Sequence, residues 1–464
     1  PLGWASIYPG ESTMSRLNRP PRRFASKGCA VPAILLFGAV LASPAGAAEP
    51  SPSSEETPRS GRPTRSGYGS DETLGGPSST SEQLEEDDRI VEPVFRLQWL
   101  DDAMTPYYEF KRSVNERIGL AFGADYTALL QAASQSAGSD EATAGQVRLF
   151  GSWDAFGRKS GNTGSLVFKV EHRHDLGTRT VPQDLGFELG YAGITGAAFG
   201  DFRNEGWGLT NLFWRQRLAE GRVTALAGVV DATDYVDLYA LISPWLHFTN
   251  LAFLTNPTIA APNQGVGAAV GVRATDRIYV IAGVADSNGD PVDPLGSVDT
   301  FFDDTEYFKH LEVGFSSSAA ERLYLDNVHL TFWHADERED AGVEDGWGVA
   351  FSGAWFFDDR WLPFLRAGYA DDGGALYEGS VSWGVGYYVA SRDDVFAVGL
   401  NWSRPSDTAV APGLDDQYTA EIFYRIQLTE ALAITPDIQL IIDPALNPDD
   451  DSIFVAGLRV RLAL

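Results

Sequence analysis

The chain has 464 residues and a formal net charge of −29, with a pI near 4.5. Such an acidic protein is not expected to bind nucleic acid, because the phosphate backbone requires a basic surface. No apolar run is long enough for a membrane-spanning helix, so helical spans are excluded. The 48 glycines, 12 tryptophans and 17 tyrosines instead supply the small strand residues and interfacial aromatics that membrane β-barrels use.

Residues 1–48 have the features of an export signal rather than of a folded domain. We expect translation to start at Met14, after an upstream remnant, and to continue through a basic segment, an apolar segment at 30–41 and a small-residue cleavage site at 45–47. The basic segment contains Arg16, Arg19, Arg22, Arg23 and Lys27. This pattern predicts a secretory signal peptide and Sec export. Cleavage removes Cys29, the only cysteine, and with it any thiol for a disulfide or a metal site.

Residues 49–90 are rich in Ser, Pro, Gly, Thr and Glu and contain almost no large apolar side chains. Such a stretch cannot bury enough surface to offset the entropy of ordering it, which predicts a disordered periplasmic leader. The segment 91–117 has no clear pattern. Within it, residues 93–100 are expected to form either a short strand or the segment that plugs the barrel near its start.

From residue 118 onward, apolar residues alternate with small or polar ones, as in strands with one face in lipid and one in water. Sixteen such runs are predicted, at 118–130, 144–154, 164–174, 207–218, 222–231, 265–274, 277–286, 309–317, 323–334, 345–357, 361–370, 379–390, 394–404, 416–429, 432–443 and 452–464. Their connections alternate between short and long, as expected when periplasmic turns are short and extracellular loops are long. The predicted fold is therefore all-β, a transmembrane antiparallel β-barrel of 16 strands that takes up residues 91–464.

The last predicted strand, 452–464, is the clearest of these runs. Its apolar face carries Phe454, Ala456, Leu458, Val460, Leu462 and Leu464, opposite Gly457, Arg459 and Arg461. About a dozen residues suffice to cross a bilayer as a tilted strand. A closed barrel pairs its first strand with its last, so we expect this strand to complete the barrel and to engage the barrel-assembly machinery. Tryptophans near predicted strand ends are expected to face outward at the headgroup level, at Trp214, Trp355, Trp361, Trp383 and Trp402.

Four segments of the chain resemble one known family. They read GLAFGADYTALLQ at 119–131, GSLVFKVEHRHDLG at 164–177, LTNLFWRQRLAEGRVTALAGVVDATD at 209–234 and ITPDIQLIIDPALNPDDD at 434–451. In order and spacing they are similar to the OprB-type carbohydrate-selective porins of Gram-negative outer membranes. The resemblance implies a channel, monomeric or homotrimeric, that passes monosaccharides and related small solutes through a constriction of arginines, acidic side chains and aromatics. The chain departs from the family at Leu464, where porins usually end on an aromatic residue.

Charged side chains on the inward faces of the predicted strands are the candidates for a solute pathway. They are Lys169, Glu171 and Arg173, then Arg215 and Arg217, then Glu421 and Arg425, and finally Arg459 and Arg461. Arginine suits a sugar because its planar fork can pair with adjacent hydroxyls while it stays charged. The alternative interpretation is that these charges only keep the lumen wet and brace the wall through cross-strand pairs.

The connection at 231–264 is long and unusually aromatic. Its aromatic side chains include Tyr235, Tyr239, Trp245, His247 and Phe248. We expect this loop to fold into the lumen, where Trp245 and Phe248 offer flat apolar faces to a sugar ring. The alternative is a lid packed outside the barrel. The loop at 175–206 is a second candidate for the same role.

Other motifs are weaker indications of function. His172 and His174 have a spacing seen in metal sites but no third ligand nearby, and 286–290 resembles the start of a calcium loop without its final glutamate. Acidic clusters at 336–345 and 449–451 are either solvated faces or bridges to lipopolysaccharide through divalent ions. No metal or cofactor is therefore expected.

The function predicted from these patterns is passive uptake of small carbohydrates across an outer membrane. A general-diffusion or anion-selective porin of the same size is the main alternative, because the sequence does not give the radius of the constriction. An outer-membrane barrel hydrolase is the third. We expect no enzyme, since no nucleophile or paired-carboxylate constellation with a histidine is visible.

Overall fold

Sixteen antiparallel strands pair in chain order and close into a barrel in the computed structural model of the protein. The structure describes residues 73–464 except 90, 92, 159, 201, 203–205, 318–322 and 390–392. The predicted signal peptide therefore lies outside the described residues. The strands are β1 (Leu120–Ala133), β2 (Glu141–Phe156), β3 (Gly164–Asp175), β4 (Trp207–Leu218), β5 (Val223–Val230), β6 (Gly265–Arg273), β7 (Ile278–Asp286), β8 (Tyr307–Ser316), β9 (Asn327–Ala335), β10 (Gly346–Ala354), β11 (Trp361–Asp372), β12 (Tyr377–Tyr388), β13 (Val395–Pro405), β14 (Gln417–Gln427), β15 (Leu432–Ile442) and β16 (Ser452–Ala463). Each of the predicted strands is present, and the predicted fold class is confirmed.

The barrel closes where β1 pairs with β16. Their register runs from Asp125 opposite Ala463 to Ala133 opposite Val455. Beyond the last paired residue, the backbone N–H of Leu464 donates to the carbonyl of Ala124 at 2.8 Å. Closure gives the edges of the first and last strands a hydrogen-bonding partner, which a sheet in lipid requires because no water is available there.

The pleat of the strands separates a lipid-facing surface from a lumen-facing one. Large apolar side chains such as Leu130, Leu365, Ile438 and Phe454 point outward and are exposed. The inward positions between them are buried and largely polar or small. An apolar outer belt around a polar interior is the arrangement expected of an outer-membrane barrel.

The five tryptophans predicted near strand ends lie on the outer surface. Trp214, Trp361 and Trp383 are exposed. Trp355 and Trp402 are half-buried. The ring of Trp355 stacks on Phe315, with centroids 6.3 Å apart, which accounts for part of its cover.

Short and long connections alternate from β3 to β8 and from β12 to β16, whereas the two connections on either side of β2 have equal lengths, as do the two on either side of β9. The connection between β11 and β12 was expected to be long, but both strands extend beyond their predicted ends, to Asp372 and from Tyr377. Only residues 373–376 remain between them. Gly373 and Gly374 have φ of 71° and 82°, a left-handed conformation that side chains disfavour and that such a tight turn requires. We call the side of the barrel with the other short connections the short-turn end.

Within the described residues, four helices accompany the barrel. They are α1 (Thr80–Asp88), α2 (Gln98–Ile118), α3 (Pro182–Glu188) and α4 (Gly296–Asp299). Shorter helical turns occupy Ala232–Asp234, Leu251–Phe253, Thr300–Asp304 and Glu339–Ala341. No helix in the part of the chain that the structure describes is both long and apolar enough to cross a membrane.

The N-terminal part of the described chain differs from the sequence prediction. Residues 73–89 belong to the stretch predicted to be a disordered leader, but they lie inside the barrel and include α1. The prediction is wrong here because the lumen wall supplies the apolar and charged partners that the stretch lacks by itself. Residues 49–72 lie outside the described part.

The segment 93–100 is neither a strand nor a plug. The backbone N–H groups of Val94 and Phe95 donate to the carbonyls of Gln427 and Leu428, at 2.8 and 2.9 Å, beside the turn between β14 and β15. Helix α2 then begins at Gln98 and ends at Ile118, and Gly119, with a φ of 80°, caps the helix just before β1.

Candidate solute pathway

A cavity of about 240 Å³ lies within the barrel. Its polar lining includes Glu171, Arg173, Asp231, Asp234, Asn256 and Gln264. Phe202 and Trp245 add aromatic surface, and Ser78 of the N-terminal segment also lines it. Hydrogen-bonding groups and aromatic faces therefore line the same space.

The loop at 231–264 lies inside the lumen, as the sequence predicted. The carboxylate of Glu421 on β14 accepts the backbone N–H groups of Thr249 and Asn250 at 2.7 and 2.9 Å. Arg459 on β16 donates from Nη1 to the carbonyl of Pro244 at 2.6 Å. Two of the predicted pathway residues thus hold this loop against the wall.

On the far wall, Arg366 of β11 pairs with the loop residue Asp237. Nε2 of His329 lies 3.2 Å from the same carboxylate. Burial opposes ionisation of Asp237, but Arg366 and His329 outweigh it, so the pKa of Asp237 is lowered from its ordinary value. The loop is therefore pinned from opposite sides of the barrel.

The loop at 175–206 shares the lumen with it, as expected. Gln183 and Phe202 from this loop line the cavity. The backbone N–H of Ala197 donates to the carbonyl of Thr249 at 2.9 Å, which joins the two loops directly.

Among the residues predicted to form the solute pathway, the charged side chains of β3 lie closest to the cavity. Lys169 Nζ donates to Asp234 at 3.0 Å, and Arg173 Nη2 donates to Glu171 at 3.1 Å. The Arg173 guanidinium carbon lies 3.9 Å from the centre of the Phe202 ring. Glu171 and Arg173 line the cavity. Lys169 does not line it but is hydrogen-bonded to Asp234, which does.

Asp234 has an unusual titration behaviour in this setting. Burial raises the pKa of its carboxyl to about 7, against the opposing effect of the Lys169 ammonium group. The cavity therefore holds a carboxyl group that changes charge near neutral pH.

The two aromatic candidates of the loop have different surroundings. Trp245 lines the cavity, donates from Nε1 to Gln146 at 2.7 Å and has the Arg148 guanidinium carbon 3.7 Å from its ring centre. Phe248 is fully buried against the rings of Phe253 and Phe423, with centroids 4.8 and 4.9 Å away. Phe248 packs beneath the loop and does not line the cavity.

The remaining predicted residues lie nearer the short-turn end, around residues 73–89. Arg461 donates from both terminal nitrogens to Asp87, each at 2.8 Å, and Arg425 lies 3.5 Å from Glu86. Arg215 donates to Ser81. Arg217 is half-buried near the turn that follows β4. These arginines contact the chain's own N-terminal segment or the rim rather than the cavity.

Sequence reasoning missed several residues of the lumen. Arg148 pairs with Asp125 across β1 and β2, and it stacks on Trp245. Its position could have been found, because Arg148 and Gln146 share the inward face of a strand that the alternation already predicted. Asp231 and Asp234 could not, since they lie in a loop without any periodic pattern.

Within the described residues, neither the histidine pair at 172 and 174 nor the segment 286–290 is joined by further metal ligands. His172 and His174 lie on the outer surface with ring centroids 5.4 Å apart, next to Trp207. Asp286 accepts hydrogen bonds from Ser297 and Thr300 at 2.9 and 2.5 Å, as a turn-forming carboxylate. Among the described residues, no group of three or more His, Cys, Asp or Glu side chains is arranged to hold a metal ion.

Comparison with known proteins gives a family and a fold. The family described as carbohydrate-selective porin, OprB family, matches residues 109–335 and 313–464. The high-pH structure of Pseudomonas putida OprB has 15% sequence identity, covers 77% of this chain and 97% of its own, and gives a TM-score of 0.61. The low-pH structure of the same protein has 13% sequence identity, covers 78% of this chain and 98% of its own, and gives a TM-score of 0.46. A mutant porin of Rh. blastica has 13% sequence identity, covers 74% of this chain and 100% of its own, and gives a TM-score of 0.46. No curated protein matches the chain in sequence.

Proposed function

Because the chain belongs to the OprB family of carbohydrate-selective porins, we propose that it takes up monosaccharides and related small carbohydrates through the cavity lined by Arg173 and Trp245. Porins are passive channels, so the protein is a channel and not an enzyme. The family and the barrel fold place it in the outer membrane of a Gram-negative bacterium.

One observation supports the carbohydrate pathway above the others: the charged and aromatic groups of the cavity lie side by side. Sugars present hydroxyls that exchange hydrogen bonds with planar charged groups, and C–H faces that pack on aromatic rings. Arg173 and Glu171 offer the first, and Phe202 and Trp245 the second. Pockets for drug-sized ligands occupy about 300–1,000 Å³. A cavity of about 240 Å³ suits a smaller solute.

The test is single-channel current through the purified protein in a planar bilayer, with glucose, a disaccharide or a neutral non-sugar of similar size added. We expect saturable, concentration-dependent block by the sugars, because binding in the cavity delays the passing ions. Arg173→Ala should weaken this block about tenfold or more, since a hydrogen bond to a charged group contributes about 1.5–3 kcal/mol.

The matched control is Arg404→Ala, which removes an arginine that is half-exposed at the rim and paired with Asp416. Its sugar block should equal that of the wild type. Equal and unsaturable effects of all three solutes would leave a porin without carbohydrate selectivity.

A general-diffusion or anion-selective porin is the second candidate, favoured by the arginines that the barrel wall directs inward. Arg148, Arg366 and Arg459 are all buried there. Each contacts a carboxylate or a carbonyl group, which reduces the positive field available to a passing anion. A reversal potential measured in a salt gradient separates this candidate from a sugar channel, because only an anion-selective pore would give a strong anion preference.

The same proposal extends to export, assembly and surroundings. We expect Sec export through the predicted signal peptide, recognition of β16 by the barrel-assembly machinery, and a monomer or homotrimer as the working form. The acidic loops at 336–345 and 449–451 are candidates for bridging to lipopolysaccharide through divalent ions. Light scattering of the detergent-solubilised protein decides between the two oligomeric states.

A further inference from the structure

Residues 73–89, which we call the plug, cross the lumen near the short-turn end. At one side, Leu74 is buried in the apolar cluster that contains Leu226 and Leu238. On the opposite side, Leu84 in α1 approaches Gly123, where an added Cβ would lie 3.3 Å from its Cδ2 atom. Between them, Ser78 lines the cavity. The plug therefore reaches from the β5 and β6 wall to the β1 wall and borders the cavity.

Complementary charges hold the plug to the wall. Its carboxylates face wall arginines: Asp87 accepts two hydrogen bonds from Arg461 at 2.8 Å, and Glu86 lies 3.5 Å from Arg425. Its own Arg89 is paired with Asp393 of the short turn before β13. Ion pairs in a buried lumen need partners of the right sign, and the plug supplies them to arginines that otherwise face a water-filled pore.

A barrel of sixteen strands is wide enough to leave an aqueous channel. Here a segment of the same chain occupies part of that channel beneath the cavity. We propose that residues 73–89 close the pore, and that solute passes only when this segment leaves its place on the wall. This inference rests on the proposed channel function. Displacement also uncovers Arg215, Arg425 and Arg461, which then line the path.

The plug can be locked in place without changing its charges. An added Cβ at Gly271 lies 2.9 Å from the Cβ of Thr73, closer than the ~3.5–4.5 Å between the Cβ atoms of a disulfide. Thr73→Cys with Gly271→Cys therefore brings two thiols within reach of each other once Thr73, at the start of the plug, moves back by about 1 Å. The other end of the segment is already fixed, because Val94 and Phe95 are hydrogen-bonded at the turn between β14 and β15. Oxidation therefore pins the segment on both sides of the lumen.

The experiment measures ion conductance in a planar bilayer, in salt alone, with oxidant and then with reductant. In the two-cysteine protein we expect openings under reducing conditions and their loss on oxidation. The two single-cysteine variants are the controls and should not respond. A second variant, Glu86→Gln with Asp87→Asn, removes carboxylates that hold the plug and should raise the mean conductance severalfold. Its charge-matched control is Glu109→Gln with Glu116→Gln, two exposed acids of α2.

Unchanged conductance on oxidation, in a protein whose disulfide is verified by mass, overturns the proposal. So does a release variant that conducts like its control. Neither result depends on sugar, so the plug and the carbohydrate selectivity fail separately. Heat-modifiable migration on a gel verifies that each variant is a folded barrel.

A different observation concerns the outer surface of α2. Trp99, Phe110 and Ile118 are 69%, 58% and 54% exposed, with no cover from the part of the chain that the structure describes. The helix lies along the rim of the barrel, since Lys111 donates to Asp88 of the plug at 2.7 Å while the Phe110 ring lies 6.3 Å from that of Phe122 on the lipid-facing side of β1. The outward Trp153 of β2 donates from Nε1 to the carbonyl of Ile118 at 3.0 Å.

We infer that this face of α2 is immersed in the headgroup region of the membrane leaflet at the short-turn end. The aromatic face continues the lipid-facing surface of β1 and β2, so the same bilayer covers both. A helix with aromatic residues on one side and charged residues on the other lies in the plane of such an interface.

The test compares two single-cysteine variants of the whole protein in phosphatidylcholine vesicles, Phe110→Cys and Glu116→Cys, each labelled with an environment-sensitive fluorophore. We expect brominated lipid to quench the label at 110 strongly and the label at 116 weakly, with iodide showing the reverse. Equal iodide quenching at both positions overturns the inference. Protection at 110 from both quenchers also overturns it and indicates a second protein copy on this face.

Discussion

Single charged residues inside the barrel titrate according to their partners. Asp237 keeps a lowered pKa because the Arg366 guanidinium and His329 outweigh the effect of its burial. Asp234 is equally enclosed, but burial dominates over the single ammonium group of Lys169, and the pKa is raised to about 7. Two aspartates three positions apart in one loop therefore have pKa values shifted in opposite directions.

The raised pKa of Asp234 predicts a pH-dependent channel. Folding raises this pKa from 3.8 to about 7, so the folded protein keeps the proton over a range in which the unfolded chain loses it. The associated stability therefore falls as pH rises from about 3.8 to about 7 and is constant above that. As the pH rises through this range, Asp234 also adds a negative charge to the cavity. We therefore expect the cation preference, measured as a reversal potential, to increase with pH with a midpoint near pH 7.

Asp234→Asn should abolish this midpoint and leave the pore insensitive to pH in that range. Asp340→Asn, in an exposed loop, is the control and should keep it. A midpoint that persists in Asp234→Asn would assign the titration to another group.

At the scale of elements, the loop at 231–264 depends on a few wall contacts. Glu421 on β14 receives the N–H groups of Thr249 and Asn250 on its two carboxylate oxygens. Glu421→Gln turns one acceptor into a donor and leaves one N–H group without an acceptor, at a cost of about 1–3 kcal/mol. We expect cleavage within 231–264 by an added protease to accelerate and the open-channel current to become noisier.

Glu339→Gln, an exposed glutamate of the loop between β9 and β10, serves as the matched control. It should show wild-type cleavage and noise. If Glu421→Gln behaves like this control, the loop is held chiefly by its apolar contacts around Phe248 and Phe253.

The strands could be predicted from the sequence because lipid and water impose opposite demands on alternate residues. Leu458 and Arg459 in β16 illustrate this, the first exposed on the outside and the second buried inside. The partners of the inward charges could not be predicted in this way. Arg461 was correctly placed on the inner face, but its partner Asp87 belongs to a stretch whose composition alone indicates disorder. Phe248 and Trp245 are both aromatic residues of the same loop, so the sequence does not distinguish them. Only the packing of the loop shows that Trp245 lines the cavity and that Phe248 is buried beneath it.

At the scale of the whole molecule, the outer apolar belt determines how the protein sits in the bilayer. Ile438, in the middle of β15, is 55% exposed on this belt. Ile438→Arg should destabilise the folded protein in vesicles by about 2–4 kcal/mol, because a charge at the bilayer midplane is poorly solvated. Denaturant unfolding followed by tryptophan fluorescence measures the change.

Leu446→Arg is the corresponding control. Leu446 is an apolar side chain like Ile438, but it lies in the loop between β15 and β16, outside the belt. Its effect should stay within about 0.5 kcal/mol. A large loss of stability in both variants would mean that the belt extends further along the strands than their exposed residues indicate.

The pairing of β1 with β16 joins the two ends of the strand sequence, since the partner of Asp125 is Ala463. Because pairing between residues far apart in sequence is slow, we expect the hydrogen bonds that complete the cylinder to form late in folding. Until they form, both edges present unpaired backbone groups that attract other chains. A chain interrupted before β16 would keep that open edge, which marks it for capture by chaperones and proteases rather than for insertion.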